Sequence, residues 1–116
     1  MIKVDFHVHT TSSDGIMTPA EVVQRAKKNG VKFLSITDHD TVSGIEEALI
    51  EAKRSNLQLI PGIELSTTHN AESIHVLGFF RDDTYKSPEL NKVLYALKNK
   101  RKIRAEKIVN NLKDIF

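Results

Sequence analysis

The stretch IKVDFHVHTTSSDG, residues 2–15, indicates the fold class more clearly than any other part of the chain. Apolar and polar residues alternate from Ile2 to Val8, and a period of two is typical of a β-strand. His7 and His9 stand two positions apart at the end of this strand, so both imidazoles are expected on one face, where they can share a metal ion. The pair alone is equally compatible with two surface histidines. A polar loop with turn residues follows it.

Predicted helices and strands alternate along the rest of the chain. The expected order is a helix from Thr18 to about residue 29, a strand at 31–37, a helix at 41–56, a strand at 57–67 bent at Pro61, a strand at 73–80 and a long helix from 87 onward. Strand–helix–strand–helix–strand order predicts an α/β fold with parallel strands and helical crossovers. Functional side chains in such folds lie at the carboxyl ends of the strands.

The composition limits the classes of protein and of site. The 116 residues suffice for one small domain, and 40% hydrophobic with 28% charged residues fits a globular protein. No apolar run is long enough to span a membrane and no secretory signal is visible, so we expect a cytoplasmic protein without a membrane partner. The chain has no cysteine, which excludes disulfides and thiolate metal sites and leaves His, Asp and Glu as metal ligands.

Six potential metal ligands fall at or near predicted strand ends. They are His7, His9, Asp14, His39, Glu64 and His75. Glu64 interrupts an otherwise apolar strand, where a carboxylate is costly to bury unless a cation pairs with it, and its two oxygens make it the candidate bridge between two metals. The alternatives are an exposed edge residue for Glu64 and a core histidine for His75. Asp38 and Asp40 flank His39 and are expected either to orient an imidazole from behind or to cap the next helix.

Four motifs occur in order between residues 3 and 80. They are His7-Val8-His9-Thr10 with Ser13-Asp14-Gly15, Thr37-Asp38-His39-Asp40, Gly62-Ile63-Glu64 and His75-Val76-Leu77-Gly78. With this order and spacing the chain resembles the PHP (polymerase and histidinol phosphatase) family. It is most similar to the stand-alone phosphoesterases of that family, which include nucleoside 3′,5′-bisphosphate phosphatases. Aspartate at position 14, where many relatives have histidine, also points to that branch.

The resemblance implies a distorted (β/α)7 TIM-like barrel, of which this chain would form the N-terminal part, and two or three divalent metal ions (Mn, Zn or Fe). It assigns His7, His9 and the bridging Glu64 to one metal, Glu64 and His75 to a second, and Asp14 and His39 to a third. The expected catalytic residues are Glu64, His39 and Asp14. Family members take further ligands from their C-terminal half, and no histidine follows His75 here. We therefore expect a longer parent protein, little activity from this chain alone, and an open sheet edge that pairs with the missing half or with another chain.

Residues 81–116 differ in charge from the part before them. They hold ten Lys/Arg against five Asp/Glu, a net charge of +5, whereas residues 1–80 have a net charge of −3. We expect a hydrolase region at 1–80 and a basic helical segment at 81–116, which the resemblance implies is the start of an inserted helical domain. Arg101 and Arg104 lie within a helical stripe of Leu and Ile and are predicted to bind the substrate phosphate. The alternative is a solvated helix face or a gap between two helices.

The resemblance implies a metal-dependent phosphoesterase that hydrolyses phosphate monoesters of small nucleotides, with hydroxide generated by the metals as the nucleophile. One alternative is a nuclease or polymerase-associated domain acting on nucleic acid, which the basic segment favours slightly and which predicts steep salt dependence of binding. Another is a non-catalytic metal-binding module, above all for this chain by itself. A small phosphorylated nucleotide is therefore the expected partner, and nucleic acid the less favoured one.

Overall fold

The computed structural model describes residues 1–115 and contains, within them, five strands and three α-helices. In chain order they are β1 (Lys3–Val8), α1 (Pro19–Lys28), β2 (Val31–Ile36), α2 (Ile45–Arg54), β3 (Gln58–Leu59), β4 (Gly62–His69), β5 (Glu72–Phe79) and α3 (Pro88–Lys113), with a 3-10 helix at Asp83–Lys86 before α3. The chain divides into two compact units, Met1–Tyr85 and a second that begins at Lys86. Phe116, the end of the predicted segment 81–116, lies outside the described residues.

Helix α1 begins where the sequence predicts, because Thr18 caps it. The Thr18 hydroxyl accepts a hydrogen bond from the Glu21 amide at 3.2 Å, and Pro19 occupies the first helical position, where no N–H is needed. Asn29 ends the helix, and Gly30 follows with a positive φ of 80°. The predicted helix at 18–29 is therefore confirmed.

Helix α2 is shorter than the predicted helix at 41–56, because it begins only at Ile45. The Thr41 hydroxyl accepts a hydrogen bond from the Ser43 amide at 3.2 Å, which holds the residues before the helix in a turn. Gly44 then passes so close to the loop after β1 that an added Cβ would lie 2.7 Å from Ser12 Oγ. The helix starts after this close passage.

Strands β1, β2 and β3 form a parallel sheet in that order, and α1 and α2 pack against it. The buried core contains Val22, Val23, Ala26, Leu34, Ile36, Ala48, Ala52 and Leu57. Parallel strands joined by helical crossovers are what the alternating order predicts, so the α/β class is confirmed. Burial of this apolar surface fixes β2 against the helices, and with it the place where the carboxyl end of β2 emerges.

Strands β4 and β5 form an antiparallel hairpin, so the prediction of parallel strands is wrong for this pair. Two residues, Asn70 and Ala71, connect the strands, and a connection this short permits only antiparallel pairing. The predicted loop at 68–72 is also too long, since His69 already pairs with Glu72.

The predicted strand at 57–67 is divided in two at Pro61. β3 pairs with β2, but Pro61 has no N–H with which to continue the ladder. Pairing with the residues that follow β2 resumes at Glu64. The Glu64 amide donates to Asp38 O at 3.0 Å, and the Glu64 carbonyl accepts from the Asp40 amide at 2.9 Å. Glu64 is thereby placed beside His39, with which it forms an isolated parallel bridge.

Helix α3 forms most of the second unit, and the apolar stripe predicted along it is largely exposed. Leu94 is buried, but every described residue from 98 onward is exposed. A unit built around one helix has no second element of its own that could cover such a stripe. Within residues 1–115 no helix is both long enough and apolar enough to cross a membrane.

Replacing Ala71 by glycine is expected to stabilise the protein by roughly 1 kcal/mol. Asn70 and Ala71 both have positive φ, 51° and 66°, as the two central residues of a type I′ hairpin turn do. A residue with a Cβ is strained there, whereas glycine is not. Asn70→Gly is the matched control and should change the free energy of unfolding less, because asparagine tolerates this conformation. Urea denaturation compares the two variants, and an Ala71→Gly protein no more stable than wild type would contradict strain at Ala71.

Candidate metal centre

All six predicted ligands lie together in the first unit. His7 is in β1 and His9 just after it, Asp14 is in the loop before α1, His39 follows β2, Glu64 is in β4, and His75 is in β5. Parallel pairing of β1 with β2, and of residue 39 with residue 64, gathers the strand ends that carry them. The hairpin then brings β5 alongside β4.

The carboxylate of Glu64 lies at the centre of the cluster, and only 3% of the residue is exposed. Its Oε1 is in direct contact with His7 Nε2 and lies 3.5 Å from His9 Nε2. Its Oε2 lies 3.0 Å from His39 Nδ1 and 2.7 Å from His75 Nδ1. Each carboxylate oxygen of Glu64 therefore faces a different pair of imidazoles, as in a carboxylate that bridges two cations. The alternative of an exposed edge residue is wrong.

Opposing effects set the pKa of Glu64. Burial raises this pKa, but hydrogen bonds with His75 and His7 and the nearby imidazoles of His39 and His9 lower it, and the result lies below the ordinary glutamate pKa. The carboxylate is therefore ionised at neutral pH. A metal does not have to displace a proton from it.

Asp14 contacts the two imidazoles in the middle of the cluster. Its Oδ1 lies 3.4 Å from His9 Nδ1 and its Oδ2 lies 3.3 Å from His39 Nε2. The rings of His9 and His39 stack with their centroids 4.5 Å apart, and each uses its other nitrogen toward Glu64. The side chain of Asp14 is 64% exposed, so Asp14 forms the solvent-facing side of the cluster.

Three groups of donor atoms are close enough together to hold a metal ion each. They are His7–His9–Glu64, His9–Asp14–His39 and His39–Glu64–His75, and the donor atoms of each group lie within 4.8 Å of one another. The first group equals the set that the resemblance assigns to one metal. The other two sets each gain one histidine, because the two ring nitrogens of His9 and of His39 face different groups.

The cluster fits divalent metal ions by its chemistry and by one buried atom. His9 Nδ1 is buried and has no hydrogen-bond partner within residues 1–115, which is unfavourable unless another atom occupies that position. Imidazole and carboxylate donors without thiolates suit zinc, manganese or iron. We therefore take the six residues as the candidate metal centre.

Asp38 holds the loop that follows β1. Its buried carboxylate accepts hydrogen bonds from the amide and hydroxyl of Thr10 and from the hydroxyl of Ser13. None of these hydrogen bonds is made to an imidazole, and α2 has no side-chain cap, so Asp38 does not cap that helix. That Asp38 helps to orient an imidazole stays a prediction. Sequence patterns do not single out Thr10 and Ser13 as partners of Asp38, because serine and threonine are common in every polar loop.

Asp40 lies at the junction between the end of β2 and β4. It has a positive φ of 52°, and its Oδ1 accepts a hydrogen bond from the Ser66 amide at 2.8 Å. Helix α2 begins after Gly44 without a side-chain cap, so Asp40 does not cap it as predicted.

The remaining candidates belong to none of the three donor groups. Arg101 and Arg104 are exposed residues of α3 in the second unit, and their predicted binding of a phosphate stays a prediction. His69, the fifth histidine, is exposed at the end of β4.

Comparison with known proteins decides the family. The PHP domain profile matches residues 5–105, a range that contains all six clustered residues and most of α3. The chain belongs to the PHP domain family. The resemblance seen in the four sequence motifs is thereby confirmed.

Two curated relatives of this PHP chain differ in what they act on. The chain is 42% identical over 110 residues to a 5′-3′ exoribonuclease from Haemophilus influenzae, a match that covers 95% of the chain and 39% of the relative. It is 36% identical over 78 residues to a 3′,5′-nucleoside bisphosphate phosphatase from Chromobacterium violaceum, covering 67% of the chain and 27% of the relative. The chain thus spans about two fifths or less of the length of these relatives.

A solved structure shows the same fold. A protein from Bifidobacterium adolescentis, described as a metal-dependent phosphoesterase, superposes with a TM-score of 0.86 at 30% sequence identity. The match covers 99% of this PHP chain and 40% of that protein. The fold of the chain is therefore that of the corresponding part of that protein.

Proposed function

We propose that this chain forms the metal-binding part of a phosphoesterase that hydrolyses phosphate esters of nucleotides. The observation that carries the proposal is the buried Glu64, whose two oxygens each face a different pair of imidazoles. Burying a carboxylate is costly unless cations pair with it, and metal ions held between Glu64 and the imidazoles would be such cations. Family membership and the relatives described above support the same reaction class.

Glu64, His39 and Asp14 have distinct parts in this proposal. Glu64 would contribute to two of the three metal positions, whereas His39 and Asp14 would contribute to the position that contains the exposed Asp14. Divalent ions bound there would supply a hydroxide nucleophile at neutral pH and would neutralise the charge that develops on the phosphoryl oxygens. Asp14 is exposed and lies beside His39, so this side of the cluster is where we place the approach of the phosphate.

Of the two substrate classes, we favour the end of an RNA strand over a small nucleotide. The match to the exoribonuclease spans 110 of 116 residues and therefore extends far into α3, whereas the match to the bisphosphate phosphatase spans 78 residues. The segment 81–116 has a net charge of +5, which suits a polyanion better than a mononucleotide. In this proposal Arg101 and Arg104 contact RNA phosphates beyond the scissile one.

Salt dependence distinguishes the two substrate classes. The full-length protein that contains this chain, loaded with Mn²⁺ or Zn²⁺, is expected to cleave a 5′-phosphorylated RNA oligonucleotide with a KM that rises steeply between 50 and 200 mM salt. If about three phosphates are contacted, the rise is roughly 20-fold, since each contact to a single strand contributes a slope of about 0.7. The KM for a nucleoside 3′,5′-bisphosphate should rise much less.

A charge-matched pair of variants locates the contact. Arg101→Gln/Arg104→Gln should flatten the salt dependence for RNA, whereas Lys27→Gln/Lys28→Gln, which removes the same charge from exposed positions at the end of α1, should not. Equal, shallow salt dependence for both substrates would instead favour the small nucleotide. Metal-loaded protein that hydrolyses neither substrate would support the non-catalytic alternative and end the phosphoesterase proposal.

A further inference from the structure

Asp38 is buried at the centre of a hydrogen-bond network whose residues belong to none of the three metal donor groups. Only 2% of Asp38 is exposed. Its Oδ1 accepts from the Thr10 amide at 2.6 Å and from Ser13 Oγ at 2.7 Å, and its Oδ2 accepts from Thr10 Oγ1 at 2.7 Å. Three hydrogen bonds to a buried charge form a strong and directional anchor. The anchor joins the end of β2 to the loop after β1.

Thr10 is the point around which that loop folds, and it is fully buried. Its carbonyl accepts from the amides of Ser13 (3.1 Å) and Gly15 (2.8 Å), and its hydroxyl accepts from the Ser12 amide at 3.0 Å. Gly15 passes so close to the end of β1 that an added Cβ would lie 2.6 Å from His9 O. The loop therefore has one tight conformation, and Asp38 holds the residue on which it closes.

The loop decides where Asp14 stands. The side chain of Asp14 is 64% exposed, and the hydrogen bond it accepts, from the neighbouring Ser13 hydroxyl, is long at 3.4 Å. Its position between His9 and His39 thus depends mainly on the backbone of the loop. No comparable loop is needed for Glu64 and His75, which β4 and β5 hold directly.

Every member of one donor group is also adjacent in sequence to a residue of this network. Thr10 follows His9, Ser13 precedes Asp14, and Asp38 precedes His39. The group His9–Asp14–His39 is therefore framed by the three bonded residues. Each of the other two groups shares one histidine, His9 or His39, with this group. Its other two members, Glu64 with His7 or Glu64 with His75, are not adjacent in sequence to any residue of the network.

We propose that Asp38, acting through Thr10 and Ser13, is the positioning residue for the metal position formed by His9, Asp14 and His39, and not for the other two. This inference rests on the proposed metal centre. Loss of the anchor should lower the affinity of that single metal by about 10- to 100-fold, as loss of a ligand-orienting hydrogen bond does. The two metal positions that contain Glu64 should keep their affinity.

The test is a metal titration of the full-length protein, with Mn²⁺ or Zn²⁺ as the probe and the bound equivalents counted by elemental analysis. Ser13→Ala removes the hydroxyl of a half-buried residue, and with it the hydrogen bond to Asp38 and the long one to Asp14. It should weaken one binding step only, and Ser13→Thr, which keeps the hydroxyl, should restore it. Asp38→Asn should weaken the same step more strongly. Ser43→Ala is the matched control, because it removes an exposed loop hydroxyl bonded to Thr41 and should weaken none.

The outcomes separate this inference from the proposed function. If Asp14→Ala removes the same step and Ser13→Ala adds no further loss in the double variant, the inference is supported. If Ser13→Ala weakens all steps equally, or none, Asp38 has only a general structural role and the inference fails while the metal centre stands. A wild-type protein that binds neither metal overturns both.

Discussion

Replacing Glu64 by glutamine is expected to lower the affinity for two metal ions by at least about 100-fold, beyond the range for residues that only orient a ligand. Glu64 belongs to two of the three donor groups, and glutamine offers one neutral oxygen where glutamate offers two charged ones. The group His9–Asp14–His39 does not contain Glu64, so one weak metal equivalent should persist. Hydrolysis should fall below detection.

A matched control is available on the same hairpin. Glu72 lies at the start of β5 and is exposed, so Glu72→Gln removes the same charge without touching the cluster. It should leave the metal content unchanged. Metal binding stabilises the native state, so the melting temperature of wild type and of Glu72→Gln should rise when metal is added, and that of Glu64→Gln should rise much less. Full metal content in Glu64→Gln would show that Glu64 is a buried acceptor for imidazoles and not a ligand.

The convergence of His7, His9 and His39 was predictable because it depends on the order of the parallel strands. His7 and His9 end one predicted strand and His39 follows the next, and parallel strands present their carboxyl ends at the same edge. Glu64 stood out because a carboxylate in an apolar strand requires a partner. Neither inference requires knowledge of the side-chain rotamers.

The division of the donors into groups was not predictable from the sequence. It depends on which nitrogen of His9 and of His39 faces which carboxylate, and therefore on the register in which Glu64 pairs with residue 39. This register follows the interruption of the ladder at Pro61. The sequence around Pro61 predicts a bend, but it does not predict the register after the bend. The same limit explains Asp38, whose partners are 25 and 28 residues away in sequence.

The hairpin and α3 show two other limits. Asn70-Ala71 lacks the glycine that usually marks a two-residue turn, so the sequence gives only a weak signal for antiparallel pairing. Along α3 the apolar spacing is visible, but whether a partner covers it is not encoded in the spacing.

Replacing Gly62 by alanine is expected to destabilise the protein by roughly 2–3 kcal/mol, the upper part of the range for an overpacked core. A Cβ on Gly62 would lie 2.4 Å from Ser35 Oγ, 2.9 Å from Thr37 Cγ2 and 3.1 Å from Ile36 O. To relieve these contacts β4 must move away from β2. Glu64 lies two residues further along β4, so the variant should also bind metal more weakly.

The facing strand provides the control for this prediction. Gly78 of β5 pairs with Ile63 and has no atom closer than 3.4 Å to an added Cβ, so Gly78→Ala should change the free energy of unfolding by less than about 1 kcal/mol. Urea denaturation of the metal-free proteins measures both variants without interference from bound ions. Equal stability of the two variants would contradict the close approach of β4 to β2.

The nearest contact of Gly62 can be tested separately through Ser35. Ser35 Oγ is buried and has no hydrogen-bond partner within residues 1–115, so Ser35→Ala alone should be neutral or slightly stabilising. In the Gly62→Ala background the same change removes the contact at 2.4 Å and should recover about 1 kcal/mol, with the rest of the loss retained because Thr37 still lies at 2.9 Å. Strictly additive effects would mean that the strain of Gly62→Ala arises elsewhere. A favourable coupling would show that the close approach of Gly62 to Ser35 is a source of that strain.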